Sequence, residues 1–261
     1  MTEIFSNGGG TQSAAITALI VQGRLPKPDL VVICDTGREK SSTWDYLDAV
    51  IRPALRGVGL EVIRIKHSEW SNPSPSGEHY SHNGNTLLIP AFTTQSGQVG
   101  KLSGFCSDKW KVRPKNRYFR KVLKIPTNQQ KNWIGFSTDE ARRAVRMIAG
   151  EDFQAGLIRL PLIHDVPMNR REAISLVESM GWPTPPRSSC YMCPNHNDSE
   201  WRDLKENYPL EFDLACDLER EIQQKDPFCF FHKSCKPLGE VDFTLPEDLF
   251  DRACSSGGCF T

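Results

Sequence analysis

The sequence predicts an α/β fold: a doubly wound, mostly parallel sheet with a helical, cysteine-bearing C-terminal extension. Three observations carry this. Short apolar runs alternate with helical spacing through the first third of the chain, and glycines cluster where the first strand should end. Past residue 165 the pattern turns to helices and cysteines. Length and composition agree: 261 residues, 38% hydrophobic and 25% charged, with mean hydropathy −0.45, is the balance of a globular protein rather than a disordered or membrane chain. The 32 Lys and Arg match the 32 Asp and Glu, so no whole-molecule field draws the chain to nucleic acid or membrane, and such binding needs a local patch.

In order, residues 3–6 form a short apolar run before the glycines, and 14–21 lack Gly and Pro as a helix requires. Residues 30–34 (Leu-Val-Val-Ile-Cys) suit a strand buried on both faces. Ser41, Ser42 and Thr43 can cap a helix whose apolar positions are Trp44, Leu47, Val50, Ile51 and Leu55, and the β-branched run 60–65 is the next strand. This β-α-β-α-β order implies right-handed crossovers and a ligand at the carboxyl ends of the strands. Residues 68–104 shift to Ser, Asn, Gly, Pro and Thr and read as an irregular insertion or lid. A basic helix follows Pro114, then a strand at 132–136 and helices at 170–180, 200–207 and 210–225. The expected domains are 1–165, binding a nucleotide, and 166–261. No stretch approaches the ~18 apolar residues of a membrane span, and no apolar run long enough for a signal peptide precedes the glycines. A cytoplasmic protein with no membrane partner is expected.

Ser6-Asn7-Gly8-Gly9-Gly10-Thr11-Gln12-Ser13 ends a strand and opens a helix. Such a loop is either a phosphate cradle, built from backbone N–H groups and the helix N-terminus, or a tight turn needing glycine. It lacks the Lys of G-x-x-x-x-G-K-[ST] and the spacing of G-x-G-x-x-G. Asp35, within Cys34-Asp35-Thr36-Gly37-Arg38-Glu39, can accept from a ribose hydroxyl or hold a metal ion, or it is a turn residue.

Ser6-x-Gly8-Gly9-x-x-x-Ser13 resembles the PP-loop of the ATP pyrophosphatase and adenine nucleotide α-hydrolase superfamily, usually S-G-G-x-D-S, with Thr11 and Gln12 near the Asp position. The Asp35-Thr36-Gly37 segment resembles that of phosphoadenosine phosphosulfate (PAPS) reductases. Further segments follow in the order of PAPS-reductase-like proteins, many from phages and mobile elements: Cys106 through Pro114, Trp133 through Arg142, Pro161-Leu162-Ile163, and Ser188 through His196. The resemblance implies a nucleotide, ATP or PAPS, with Mg2+, held by Ser6, Gly8, Gly9, Gly10, Ser13, Asp35, Lys111, Arg113 and Arg142. It also implies Asp35 as a catalytic carboxylate.

Among nine cysteines, Cys190 and Cys193 form a C-x-x-C whose turn points two thiolates at one spot. Cys106, Cys190 and Cys193 match positions that carry a [4Fe-4S] cluster in some branches of the look-alike family. Zn2+, a redox dithiol and buried thiols remain alternatives, while Cys34 and Cys216 lie in core-like contexts. Near the C-terminus Cys259 is placed like the tail nucleophile of PAPS reductases but lacks the flanking Glu, Leu and His; a frayed end is the other reading. Lys109, Lys111, Arg113, Lys115, Arg117, Arg120, Lys121 and Lys124 occur without an acidic residue among them and with Trp110, Tyr118 and Phe119 interleaved. This segment fits nucleotide phosphates, a polynucleotide backbone with base stacking, or a solvated helix face.

The function expected from the resemblance is a PP-loop enzyme that adenylylates a substrate, releases pyrophosphate and supports sulfur transfer to a nucleic acid, with a sulfur donor as partner. The alternatives are a sulfonucleotide reductase using Cys259 with a thiol-redox protein, and a binding module without turnover.

Overall fold

The computed structural model describes residues 1–71, 82–83 and 86–244. In chain order its strands are β1 (Thr2–Ser6), β2 (Leu30–Asp35), β3 (Val62–Lys66), β4 (His82–Asn83), β5 (Thr86–Leu87), β6 (Ala91–Thr93), β7 (Gly100–Gly104), β8 (Gln130–Trp133), β9 (Ile158–Arg159) and β10 (Cys229–Phe230). The main helices are α1 (Thr11–Val21), α2 (41–57), α3 (108–123), α4 (Ala141–Ile148), α5 (Arg170–Ser179), α6 (Asp198–Asn207) and α7 (Pro209–Gln223).

The chain divides into two compact units, Met1–Ser71 with Trp110–Ser188, and the described residues of 72–109 with 189–261. These boundaries differ from the expected 1–165 and 166–261. Helix α5 stays with the first unit because Ala173 and Val177, both fully buried, join the core of Phe5, Ile16 and Trp133. The described part of 86–104 is not an irregular insertion but strands of a second sheet.

In the first unit the sheet order is β3-β2-β1-β8-β9, parallel throughout. Side-chain alternation covers both faces. Phe5, Val31 and Ile33 pack with α1, with Leu47, Ile51 and Leu55 of α2, and with α5. Ile4, Val32 and Ile65 meet Phe119 of α3 on the other side. Helix α1 buries nine of its eleven residues, which explains why it carries almost no polar side. Each fully buried large apolar side chain contributes about 1.5–3 kcal/mol. The fold class is that expected: an α/β, doubly wound, mostly parallel sheet. The reversal of strand order falls between β1 and β8.

Helices α2 and α3 each widen from α to π geometry, at Leu47–Ile51 in α2 and at Asp108–Val112 and Phe119–Leu123 in α3. Pro53 and Pro114 stand at the second position after such a stretch. A proline withholds the N–H that the carbonyl four residues back needs, and the wider turn lets that carbonyl seek another donor. This is why α3 begins at 108 instead of after Pro114.

The second unit holds the sheet β10-β6-β7-β5-β4. Asn197 caps α6 by accepting from Glu200 N at 2.8 Å. The buried carboxylate of Glu219 on α7 accepts from Phe231 N at 2.6 Å and Leu238 N at 2.5 Å, tying that segment down. No helix among the described residues is long and apolar enough to cross a membrane.

Candidate nucleotide site at the glycine loop

The glycine loop leaves the carboxyl end of β1, beside the reversal of strand order where doubly wound sheets open a crevice. Asn7 N donates to Val32 O at 2.8 Å, holding the exit against β2. Asn7 Oδ1 then accepts from Gly9 N, and Ser13 Oγ from Gly8 N, both at 2.8 Å. Gly9 has φ +73°, and a Cβ there would sit 2.5 Å from Thr43 Cγ2 on α2. Gly10 is the N-cap of α1 and gives it no side-chain cap. A Cβ on Gly10 would meet Ser188 Oγ at 2.7 Å and Ser188 N at 2.9 Å. The glycines therefore serve close approach on both sides, while the first N–H groups of α1 lack a capping side chain.

Around this loop three buried polar atoms have no hydrogen-bond partner: Asn7 Nδ2, Thr11 Oγ1 and Thr43 Oγ1. All three can donate. Buried donors are almost always satisfied, so a cluster of orphans signals a ligand that accepts. Gln12 points elsewhere: its Nε2 donates to Ser137 Oγ at 3.2 Å and Glu140 Oε2 at 3.1 Å, tying α1 to the turn after β8. It does not supply the carboxylate usual near this position.

No protein-family profile matches the chain, and no curated protein does. Among solved structures the chain is similar to the U34-tRNA thiolase NcsA from Methanococcus maripaludis, solved with its [4Fe-4S] cluster. The TM-score is 0.43 at 14% identity, over 94% of this chain and 76% of that one.

Of the other expected residues in the first unit, Ser6 closes β1. Asp35 lies at the carboxyl end of β2, 6% exposed. Its Oδ1 accepts from Gly37 N at 2.7 Å, and its Oδ2 from Arg64 Nε at 2.9 Å and Nη2 at 2.7 Å. Arg64 in turn stacks on Trp44, 4.0 Å from its ring centroid. A carboxylate so committed is poorly fitted to ligate Mg2+, and Glu39 beside it is held by Thr36 N at 3.0 Å, Thr36 Oγ1 at 2.7 Å and Lys111 Nζ at 3.5 Å. Lys111 thus braces the Asp35–Glu39 loop. Arg113 and Arg142 are exposed on α3 and α4.

The basic segment splits by helical phase. Lys115 is buried and donates to Asn132 Oδ1 at 2.6 Å, with burial holding its ammonium below the usual lysine range. Arg117 donates to Trp70 O at 2.9 Å. Arg113, Arg120, Lys121 and Lys124 are exposed. Trp110 and Phe119 are 1% and 0% exposed. Base stacking on these two rings, expected from their interleaving, is excluded because they are core.

In the second unit Cys106, Cys190 and Cys193 are half-buried, and Cys193 N donates to Cys190 O at 3.1 Å in the C-x-x-C turn. Among the described residues no group of three or more His, Cys, Asp or Glu is gathered so as to hold a metal ion. As placed, these thiols do not fit a [4Fe-4S] cluster or Zn2+. Lys101 is half-buried, donates to Asn195 Oδ1 at 2.5 Å and lies within electrostatic reach of Cys193. Cys254 and Cys259 lie outside the described residues.

The residues that sequence reasoning missed are Asn7, Thr11 and Thr43, which carry the orphan donors, and Ser188, which closes on Gly10. Only Asn7 and Thr11 had a local signal, their place within the glycine run.

Proposed function

We propose that the first unit binds ATP at the Gly8–Ser13 loop and adenylylates a substrate. The observation that carries this is the set of orphan donors beside an uncapped helix N-terminus at the strand-order reversal. A polyphosphate presents many acceptor oxygens and negative charge, which suits such donors. A substrate oxygen attacks the α-phosphorus, the new P–O bond forms as the α–β bridging bond breaks, and pyrophosphate departs with the electron pair. The loop's role is to hold the departing phosphates and stabilise the growing charge; Ser13 holds Gly8 in the shape that does so. Mg2+ supplies charge balance when it accompanies the nucleotide, and Asp35, bound to Arg64, shapes the neighbouring loop. By the resemblance stated above, the activated carbon then accepts sulfur from a donor as AMP leaves, and a nucleic acid is the acceptor.

The test is AMP and pyrophosphate formation from ATP in the presence of RNA and a sulfide source. Ser13→Ala removes the acceptor for Gly8 N, and Gly9→Ala places a methyl group against Thr43 at positive φ. Both are expected to lower product formation by tenfold or more while the circular dichroism spectrum stays that of the wild type. Unchanged AMP release in both variants overturns the reading.

A further inference from the structure

One hydroxyl bounds the space above both Gly8 and Gly10. A Cβ on Gly8 would find, its chain neighbours aside, two heavy atoms within 4 Å among the described residues: Ser13 Oγ and Ser188 Oγ, both at 3.6 Å. A Cβ on Gly10 would meet Ser188 Oγ again, at 2.7 Å. Both neighbours of Gly8 on that side are thus polar, and no carbon atom comes as near. Ser188 is exposed, so a ligand in solvent can reach it, and no hydrogen bond of its hydroxyl is found among the described residues. Beside it α1 starts at Thr11 with neither a side-chain cap nor an acidic residue in its first turn. Thr11 itself is 1% exposed and its Oγ1 is an orphan. Donors without an acceptor therefore gather at the positive end of an eleven-residue helix, under a hydroxyl whose proton is free to turn onto an anion. An alanine at 188 would still leave room for Gly10 to pack, but it could not donate.

We infer that Ser188 is a phosphate-contacting residue of the glycine loop: its hydroxyl donates to an anionic phosphoryl oxygen held at the N-terminus of α1. Resting on the nucleotide reading, this adds to the loop a wall supplied from far along the chain, while Thr43 closes on Gly9. It also separates binding from stability. A carboxylate at position 188 would stand where the phosphoryl oxygen belongs, satisfy the same helix end and repel the ligand. Ser188→Asp is thus an internal mimic of the bound anion, stabilising at a helix N-terminus and opposed to binding. Ser188→Ala removes the donor alone.

The test is calorimetric titration of the full chain with ATP and with inorganic pyrophosphate, comparing wild type with Ser188→Ala and Ser188→Asp, alongside thermal melts without ligand. Ser188→Ala is expected to weaken both ligands about tenfold, as loss of one hydrogen bond to a charged group does, with an unchanged melting temperature. Ser188→Asp is expected to weaken both at least a hundredfold while its melting temperature equals or exceeds that of wild type. Wild-type affinity for both ligands in Ser188→Ala overturns the inference, whatever Ser188→Asp does. So does weakening in Ser188→Ala that comes with a lowered melting temperature, which would mark a packing role. A lowered melting temperature in Ser188→Asp overturns it too, since the carboxylate would then not stand at the N-terminus of α1. If wild type binds pyrophosphate but not ATP, the nucleotide reading fails while weaker pyrophosphate binding by Ser188→Ala still supports Ser188. If it binds neither, both fall.

Discussion

Gly10 and Gly37 both sit in turns at the carboxyl edge of the first sheet, yet a methyl group meets different obstacles at each. At Gly10 the backbone is ordinary, φ −112°, but the methyl group would lie 2.9 Å from the backbone nitrogen of Ser188. Backbone cannot step aside as a side-chain end can. At Gly37 nothing stands within 4 Å and only the φ of +71° objects. Gly37→Ala should therefore cost about 1–2 kcal/mol of stability from the left-handed conformation alone and leave ATP binding within about twofold. Gly10→Ala should cost about 1–3 kcal/mol from overpacking and also weaken ATP at least tenfold, because the displaced segment is the loop's own wall. Denaturant unfolding and ATP titration of the two variants check this; equal effects on ATP would mean that Ser188 does not shape the site. The glycine run was legible because glycine is a local signal. Thr43 and Ser188 were not, since what makes them matter is the tertiary approach of α2 and of residue 188 to that run.

Helix α3 shows the same divide one level up. Its basic composition was plain, but composition does not say which side faces inward. Phase does: Pro114, Lys115 and Phe119 turn into the core while Arg113, Arg120, Lys121 and Lys124 line the open side, and the wider turns beside Pro114 shift the register that a uniform 3.6-residue count assumes. Exposed cations on this side suit a phosphate backbone read through charge. If the nucleic-acid substrate docks here, Arg120→Ala with Lys121→Ala should weaken binding of a labelled RNA at 50 mM salt by about tenfold or more. The dependence of log K on log salt should fall by about one unit per removed cation. Fluorescence anisotropy across a salt series measures both, and an unchanged slope would rule this face out. The strands needed no such phase information. The run 30–34 is apolar on both sides because both sides are covered, and it became β2 almost as read. The stretch expected to be irregular, 68–104, holds short strands that its turn-rich composition conceals, and one of their pairings is non-local, with β6 joined by β10 more than a hundred residues away.

Across the whole chain six of the seven cysteines among the described residues fall into two groups that sequence spacing only half reveals, and burial raises the seventh, Cys235, as well. Burial pushes the Cys34 thiol up to about 11 against the lowering pull of Lys111 and Lys115. Burial, with Glu219 and Asp213 nearby, takes Cys216 to about 11, and burial together with Asp226 takes Cys229 to about 12. At pH 8 at most about one in a thousand of such thiols is ionised, and the thiolate is the reactive form. Cys106, Cys190 and Cys193 are half-buried, with no such burial-raised thiol assigned to them. Brief iodoacetamide treatment of native protein at pH 8, read by peptide mass spectrometry, should therefore modify Cys106, Cys190 and Cys193 at least tenfold faster than Cys34, Cys216 and Cys229, with the difference abolished in denaturant. Protection of the first three in native protein, together with about four irons per chain that vanish in the Cys106→Ala, Cys190→Ala, Cys193→Ala variant, would overturn this. It would mean that the 189–196 segment closes around a cluster in a conformation other than the one described.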